Sequence, residues 1–85
     1  MDRKDRVSIE NKIKQIISER LETEVKIIKP ESELKKDLGI DSFGLVELSF
    51  EIKDKFGLKI EDQDFKSIVT VKDVIDYIFT RIEES

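Results

Sequence analysis

Ser42 is the residue with the clearest chemical potential. It follows Asp41 directly, and Phe43, Val46, Glu47, Phe50, Glu51 and Asp54 come after it at helical spacing. A serine hydroxyl becomes a catalytic nucleophile only when a base stands beside it, usually a histidine. The chain contains no His and no Cys. It therefore lacks the usual general base, a thiol nucleophile, a thiolate metal site and any disulfide framework. Such a chain is a poor enzyme, and a non-catalytic role is expected. By position alone, the ordinary work of Ser42 or Asp41 is to cap the helix that follows. One other constellation fails on inspection. Asp62-Gln63-Asp64 opens like a calcium-binding loop, but Lys66 and Ser67 occupy positions where that loop needs an oxygen ligand and a glycine. No metal site is expected.

The carboxylates are unevenly placed. The 85 residues carry 20 acids and 16 bases, for a net charge of −4. Residues 41–64 hold seven acids (Asp41, Glu47, Glu51, Asp54, Glu61, Asp62, Asp64) against Lys53, Lys55 and Lys59, and so account for the whole imbalance. This excess disfavours nucleic acid as a partner. It reads either as an ordinary solvated helix or as a face for basic partners.

The elements that must position these residues follow from periodicity. Ile9, Ile13, Ile16 and Ile17 mark one face of a helix over about Ser8 to Leu21, with Ser8 as its cap. The period is lost from Glu22 to Ile40, a long connection whose spaced apolar residues (Val25, Ile27, Ile28, Leu34, Leu38, Ile40) suggest a loop pinned across the molecule. A second helix is expected from Asp41 or Ser42 to Gly57, a left-handed stop after Phe56. A short helical segment is expected over Asp64–Val69. The last helix opens on Thr70-Val71-Lys72-Asp73, which has capping-box spacing. Val71, Val74, Ile75, Ile78 and Ile82 then form its buried face. Residues 1–85 read as one all-α domain, a small four-helix bundle of three main helices and one short one. Met1-Asp2-Arg3-Lys4-Asp5-Arg6 leads into the first helix without an apolar segment, and no apolar run exceeds three residues. A cytoplasmic protein without membrane insertion is expected.

The second helix has two faces. Leu45, Leu48, Ser49, Ile52 and Phe56 form a core stripe. Phe43, Val46 and Phe50 fall on the other side, flanked by Glu47, Glu51 and Asp54. Either the long loop covers the phenylalanines or they form a patch for a partner.

Together, Asp37-Leu38-Gly39-Ile40-Asp41-Ser42-Phe43 and Val46-Glu47-Leu48 resemble the acyl carrier protein family, whose motif Asp-Leu-Gly-x-Asp-Ser-Leu precedes a similar helix. The resemblance extends to Phe56, Thr70-Val71 and Asp76-Tyr77-Ile78. It implies a monomeric carrier whose Ser42 is modified with 4′-phosphopantetheine from coenzyme A by a phosphopantetheinyl transferase. Asp41 would cap the helix and help place that transferase, and Gly39 would let the loop turn. Phe43, Val46 and Phe50 would form the apolar centre of a transient contact with acyl-transferring or acyl-activating enzymes. Glu47, Glu51 and Asp54 would meet basic patches on those enzymes. The implied pathway is fatty-acid or a related polyketide or specialised lipid synthesis. Phe43 in place of leucine, Gly44 in place of an acid, and Lys53 and Lys55 depart from the fatty-acid pattern. Asp-Ser-Phe-Gly followed by Val-Glu-Leu is also similar to D-alanyl carrier proteins. The alternatives are thus a D-alanyl or aminoacyl carrier, or an unmodified helical interaction module.

Overall fold

The computed structural model describes residues 6–84, with the side chains of 62, 83 and 84 left out of the description. The N-terminal charged residues 1–5 singled out above lie outside that range. Three α-helices, α1 (Arg6–Leu21), α2 (Ser42–Phe56) and α3 (Val71–Glu84), are joined by segments containing a 3-10 turn, Val25–Ile27, and a longer 3-10 helix, Asp62–Ser67.

The expected apolar stripes form the core. Ile9, Ile13, Ile16 and Ile17 of α1 meet Val71, Val74, Ile75, Ile78 and Ile82 of α3, and Leu45, Leu48, Ile52 and Phe56 of α2 complete the cluster. α1 packs more extensively on α3 than on α2. The chain is already helical at Arg6, the first described residue, so Ser8 lies within α1 rather than capping it. The Arg6 guanidinium pairs with Asp76 and lies 5.6 Å from the Phe79 ring, which ties this part of α1 to α3. At its other end, Glu22 adopts a left-handed φ of 54°. This lets the Thr23 N–H donate to the Ser18 carbonyl at 3.0 Å.

The long connection is pinned, though by fewer residues than its sequence suggests. Ile28, Leu34 and Ile40 are buried and Leu38 packs on the core, whereas Val25 and Ile27 are exposed. Backbone hydrogen bonds do the rest. Leu34 N–H donates to the Val69 carbonyl at 2.9 Å, and the carbonyls of Ser32 and Pro30 accept from Val71 and Lys72 at 3.0 and 2.8 Å. Two amides that α3 cannot satisfy internally are thereby paired with the loop. The Val69 carbonyl is engaged by the loop, and the short helix covers Asp62–Ser67 rather than Asp64–Val69.

The capping box of α3 forms with aspartate as its acid. Thr70 Oγ1 accepts from Asp73 N–H at 3.2 Å, and Asp73 Oδ2 accepts from Thr70 and Val69 N–H at 3.0 and 2.8 Å. Burial alone would raise the Asp73 pKa, but the hydrogen bonds from Thr70 and Val69 outweigh it and hold the carboxyl below its ordinary 3.8. A depressed folded pKa stabilises the fold above the unfolded value, and that contribution is lost as pH falls through the folded one. Thermal stability should therefore stay nearly level from neutrality to about pH 5 and fall below about pH 4. Asp73→Asn should flatten that acid slope in melts followed by circular dichroism. An unchanged slope would show that this carboxylate contributes nothing to acid sensitivity.

Candidate functional site

Ser42 is the first residue of α2, and its environment separates the two roles open to it. The cap belongs to Asp41, whose backbone is extended (φ −84°) and whose Oδ1 accepts from Gly44 N–H at 2.8 Å. The Ser42 hydroxyl makes no hydrogen bond among the described residues, and the residue is exposed. Its oxygen is therefore free of structural duty, at the start of a well-ended helix. The C-terminal end of that helix is Gly57, left-handed at φ 74°, with its N–H on the Lys53 carbonyl at 2.8 Å.

Asp41→Ala removes this cap and should cost about 1 kcal/mol. For a domain of this size that lowers the melting temperature by roughly 4–8 °C. A calorimetric scan checks it; no shift would mean that the α2 N-terminus is satisfied by other means.

The loop reaches Ser42 through two backbone devices. Gly39 is left-handed at φ 68°, a conformation other residues adopt only with strain. It precedes Ile40, which is buried and whose N–H donates to the Leu34 carbonyl at 2.8 Å. Gly44 has a steric reason. A Cβ there would lie 2.9 Å from Ile40 Cγ2 and 3.3 Å from Asp41 Oδ1. The buried Ile40 side chain would thus have to shift to admit the acid that the fatty-acid pattern carries at this position.

Beyond Ser42, α2 presents the two faces expected. Leu45, Leu48, Ser49, Ile52 and Phe56 are its buried residues. The Ser49 hydroxyl donates to the Val46 carbonyl at 2.6 Å, so it is satisfied locally by its own helix. Phe43, Val46 and Phe50 are 70%, 42% and 54% exposed. The loop does not cover them.

The carboxylates are less free than their positions suggest. Glu47 is ion-paired to Arg20, in the last turn of α1, and the same guanidinium lies 3.7 Å from Glu51 Oε2. That separation is too long for a hydrogen bond, and the Glu51 oxygen has no other partner among the described residues. Asp54 is exposed. Lys59 reaches over the Phe50 ring at 6.0 Å. Neither the Arg20 bridge nor this cation–π contact has a sequence signature, because both depend on how distant segments pack.

Sequence reasoning also missed a groove that starts at Ser42. Its first part is lined by Lys35, Ser42, Leu45, Val46, Phe65 and Lys66. Its second part shares Lys35, Leu45, Phe65 and Lys66 and continues to Ile68 and Val69. Among the described residues, no group of three or more His, Cys, Asp or Glu could hold a metal ion, and no helix is long and apolar enough to cross a membrane.

Comparison with known proteins places this geometry in context. Residues 11–78 match the family model described as phosphopantetheine attachment site. The acyl carrier protein of Nitratidesulfovibrio vulgaris strain Hildenborough is 42% identical over 72 residues, covering 85% of this chain and 95% of that protein. That of Desulforapulum autotrophicum is 41% identical over 73 residues, with the same two coverages of 85% and 95%. Among solved structures, an acyl carrier protein from Thermotoga maritima superposes with a TM-score of 0.78 at 33% identity, over 93% of this chain and 92% of its own. A free-standing peptidyl carrier protein from Acinetobacter baumannii reaches a TM-score of 0.79 at 19% identity, over 93% and 98%, a likeness of fold alone.

Proposed function

The chain belongs to the acyl carrier protein family, a non-catalytic family with covalent 4′-phosphopantetheine, and on that premise we propose that Ser42 is the residue that carries the arm. The carrying observation is the division of labour at the start of α2: Asp41 accepts the capping hydrogen bond, while the exposed Ser42 hydroxyl accepts none. The residues present fit the group. Attachment needs an accessible oxygen on rigid backbone, and the first residue of a capped helix supplies both. Ser42 Oγ would form its bond to the pantetheine-side phosphorus of coenzyme A as the pyrophosphate P–O bond breaks and adenosine 3′,5′-bisphosphate leaves, with the hydroxyl proton passing to a base on the transferase, since this chain has no His or Cys. When bound, the group supplies the thiol that holds an acyl chain as a thioester.

In the same reading, Phe43, Val46 and Phe50 form the apolar centre of a small docking surface for the transferase and acyl-handling enzymes. Glu47, Glu51 and Asp54 form its charged margin toward Arg and Lys on those partners. The 42% identity to acyl carrier proteins supports acyl rather than aminoacyl cargo, and fatty-acid or related lipid synthesis as the setting. The protein acts as a cytoplasmic monomer. The test is intact mass after incubation with coenzyme A and a phosphopantetheinyl transferase of broad specificity. One added phosphopantetheine supports the reading; an unmodified folded protein beside a fully modified control carrier removes it.

Arg20 gives the docking surface a measurable property. A partner's cation must compete with this guanidinium for Glu47 and Glu51. Arg20→Gln should free both carboxylates and lower the transferase KM for this protein by up to about fivefold at low salt, the range of an exposed ion pair. The effect should shrink as ionic strength rises. An unchanged KM at low salt would show that the two glutamates take no part in docking to the transferase.

A further inference from the structure

The exposed apolar strip of α2 has margins of opposite charge. Phe43, Val46 and Phe50 form the strip. At about 100° of rotation per residue, Glu47, Glu51 and Asp54 fall beyond Phe43 on one edge, and Lys53 falls between Ser42 and Val46 on the other. Folding adds to this second edge from outside the helix. Lys35, from the long connection, and Lys66, from the short 3-10 helix, line a groove together with Ser42 and Val46. Lys59 reaches over the Phe50 ring at 6.0 Å. These lysines are exposed, and none has an ion-pair partner among the described residues. The acid edge is partly answered from within, since Arg20 pairs with Glu47. In a chain with a net charge of −4, the edge left unanswered is therefore the positive one.

Resting on the reading of Phe43, Val46 and Phe50 as a docking surface, we propose that this surface fits an enzyme face of matching polarity. That face carries a small apolar knob, Arg or Lys toward Glu47 and Asp54, and Asp or Glu toward Lys35, Lys53 and Lys66. The argument is charge complementarity. A uniformly basic partner would satisfy the acid edge but set its own cations against the lysines, and like charges brought face to face are strongly unfavourable. The lysine edge thus sorts partners by repulsion as well as attraction. It also fixes the direction in which α2 lies on the partner, because turning the helix end for end would exchange the two edges. Ser42 is then presented at one end of the contact only.

The probes are two helical peptides of equal length, each with one row of leucines. One peptide flanks the row with Arg on one edge and Glu on the other; the second has Arg on both edges. Binding is read from the Phe43, Val46 and Phe50 amides in the wild type, in Lys35→Gln/Lys53→Gln/Lys66→Gln and in Lys35→Glu/Lys53→Glu/Lys66→Glu, each first checked for fold by circular dichroism. Net charge alone favours the all-Arg peptide, since the protein is negative. The expected result in the wild type is the reverse, a preference of about fivefold for the mixed peptide at low salt. That preference should be lost in the glutamine variant, inverted in the glutamate variant, and reduced as salt rises. An all-Arg peptide that binds the wild type as tightly as the mixed one, or the same ranking in all three proteins, overturns this inference and leaves the apolar docking surface standing. No shift with either peptide at millimolar concentration overturns the docking surface as well. Shifts of the same amides on concentrating the protein alone would make the occupant a second copy and overturn the enzyme partner.

Discussion

Ser42→Ala should abolish loading completely while leaving the fold intact. The two halves of that result have separate causes. Loading requires an oxygen to form the bond to phosphorus, and alanine has none, so the loss is total rather than partial. The fold is indifferent because the α2 cap is the Asp41 carboxylate on Gly44 N–H at 2.8 Å, and no hydrogen bond of Ser42's side chain is lost. Alanine is also a good residue within the first turn of a helix. The stability change should stay within about 0.5 kcal/mol, the ordinary range for an exposed site. Intact mass reads the first half and chemical denaturation the second. A loss near 1 kcal/mol, the size of a missing cap, would mean that Ser42 is structural after all. Paired with Asp41→Ala, the variant separates the cap from the attachment point at adjacent residues.

Ile13→Ala should bring the whole molecule close to unfolding. Ile13 is fully buried in α1, in the same cluster as Ile75 and Ile78 of α3. Truncating such a side chain typically costs 2–5 kcal/mol, from lost apolar transfer and the cavity left behind. A domain of this length has a total stability of roughly 4–13 kcal/mol, so the loss is a large share of it. The exposed Ile27, 52% accessible, is the matched control, and Ile27→Ala should change stability by no more than about 0.5 kcal/mol. Urea titrations of the two variants check the contrast. Equal effects would mean that the α1–α3 interface is not the principal core.

The contrast between Ile13 and Ile27 also shows what the sequence could and could not disclose. Helical periodicity marked the buried faces of α1, α2 and α3, because a helix in a small bundle must bury one stripe. The left-handed stop at Gly57 and the box joining Thr70 to Asp73 were legible because they depend on neighbours in sequence. In the irregular connection no period operates, so Val25 and Ile27 looked as likely to pin the loop as Ile28 and Leu34. That the chain is helical ahead of Ser8 was missed for a related reason. Arg6 is held by Asp76 and Phe79, 70 or more positions away.

At the site, the Asp-Ser start of the helix and the placement of Phe43 and Phe50 opposite its core stripe were readable, but whether the long loop covers those rings was not. Residue type alone did not say which of Asp41 and Ser42 caps, since either can do so; the family resemblance implied Asp41, and the hydrogen bond from Gly44 agrees. The Arg20 bridge to Glu47 and Glu51 was invisible for the same reason as the Arg6 contact. The lysines of the groove come from separate segments, Lys35 before α2 and Lys66 after it. In a chain with 42% charged residues, nothing singled them out until folding brought them beside Ser42.

The most direct test is to locate the modification within the chain. Wild-type protein is loaded with coenzyme A and transferase, digested with trypsin, and the fragment running from Asp37 to Lys53 is sequenced by mass spectrometry. That fragment contains both Ser42, which is exposed, and Ser49, which is buried and bonded to Val46. The carrier reading expects a single phosphopantetheine on Ser42 and none on Ser49. Loading on any other serine, or an unmodified fragment from a folded sample with active transferase, would contradict it.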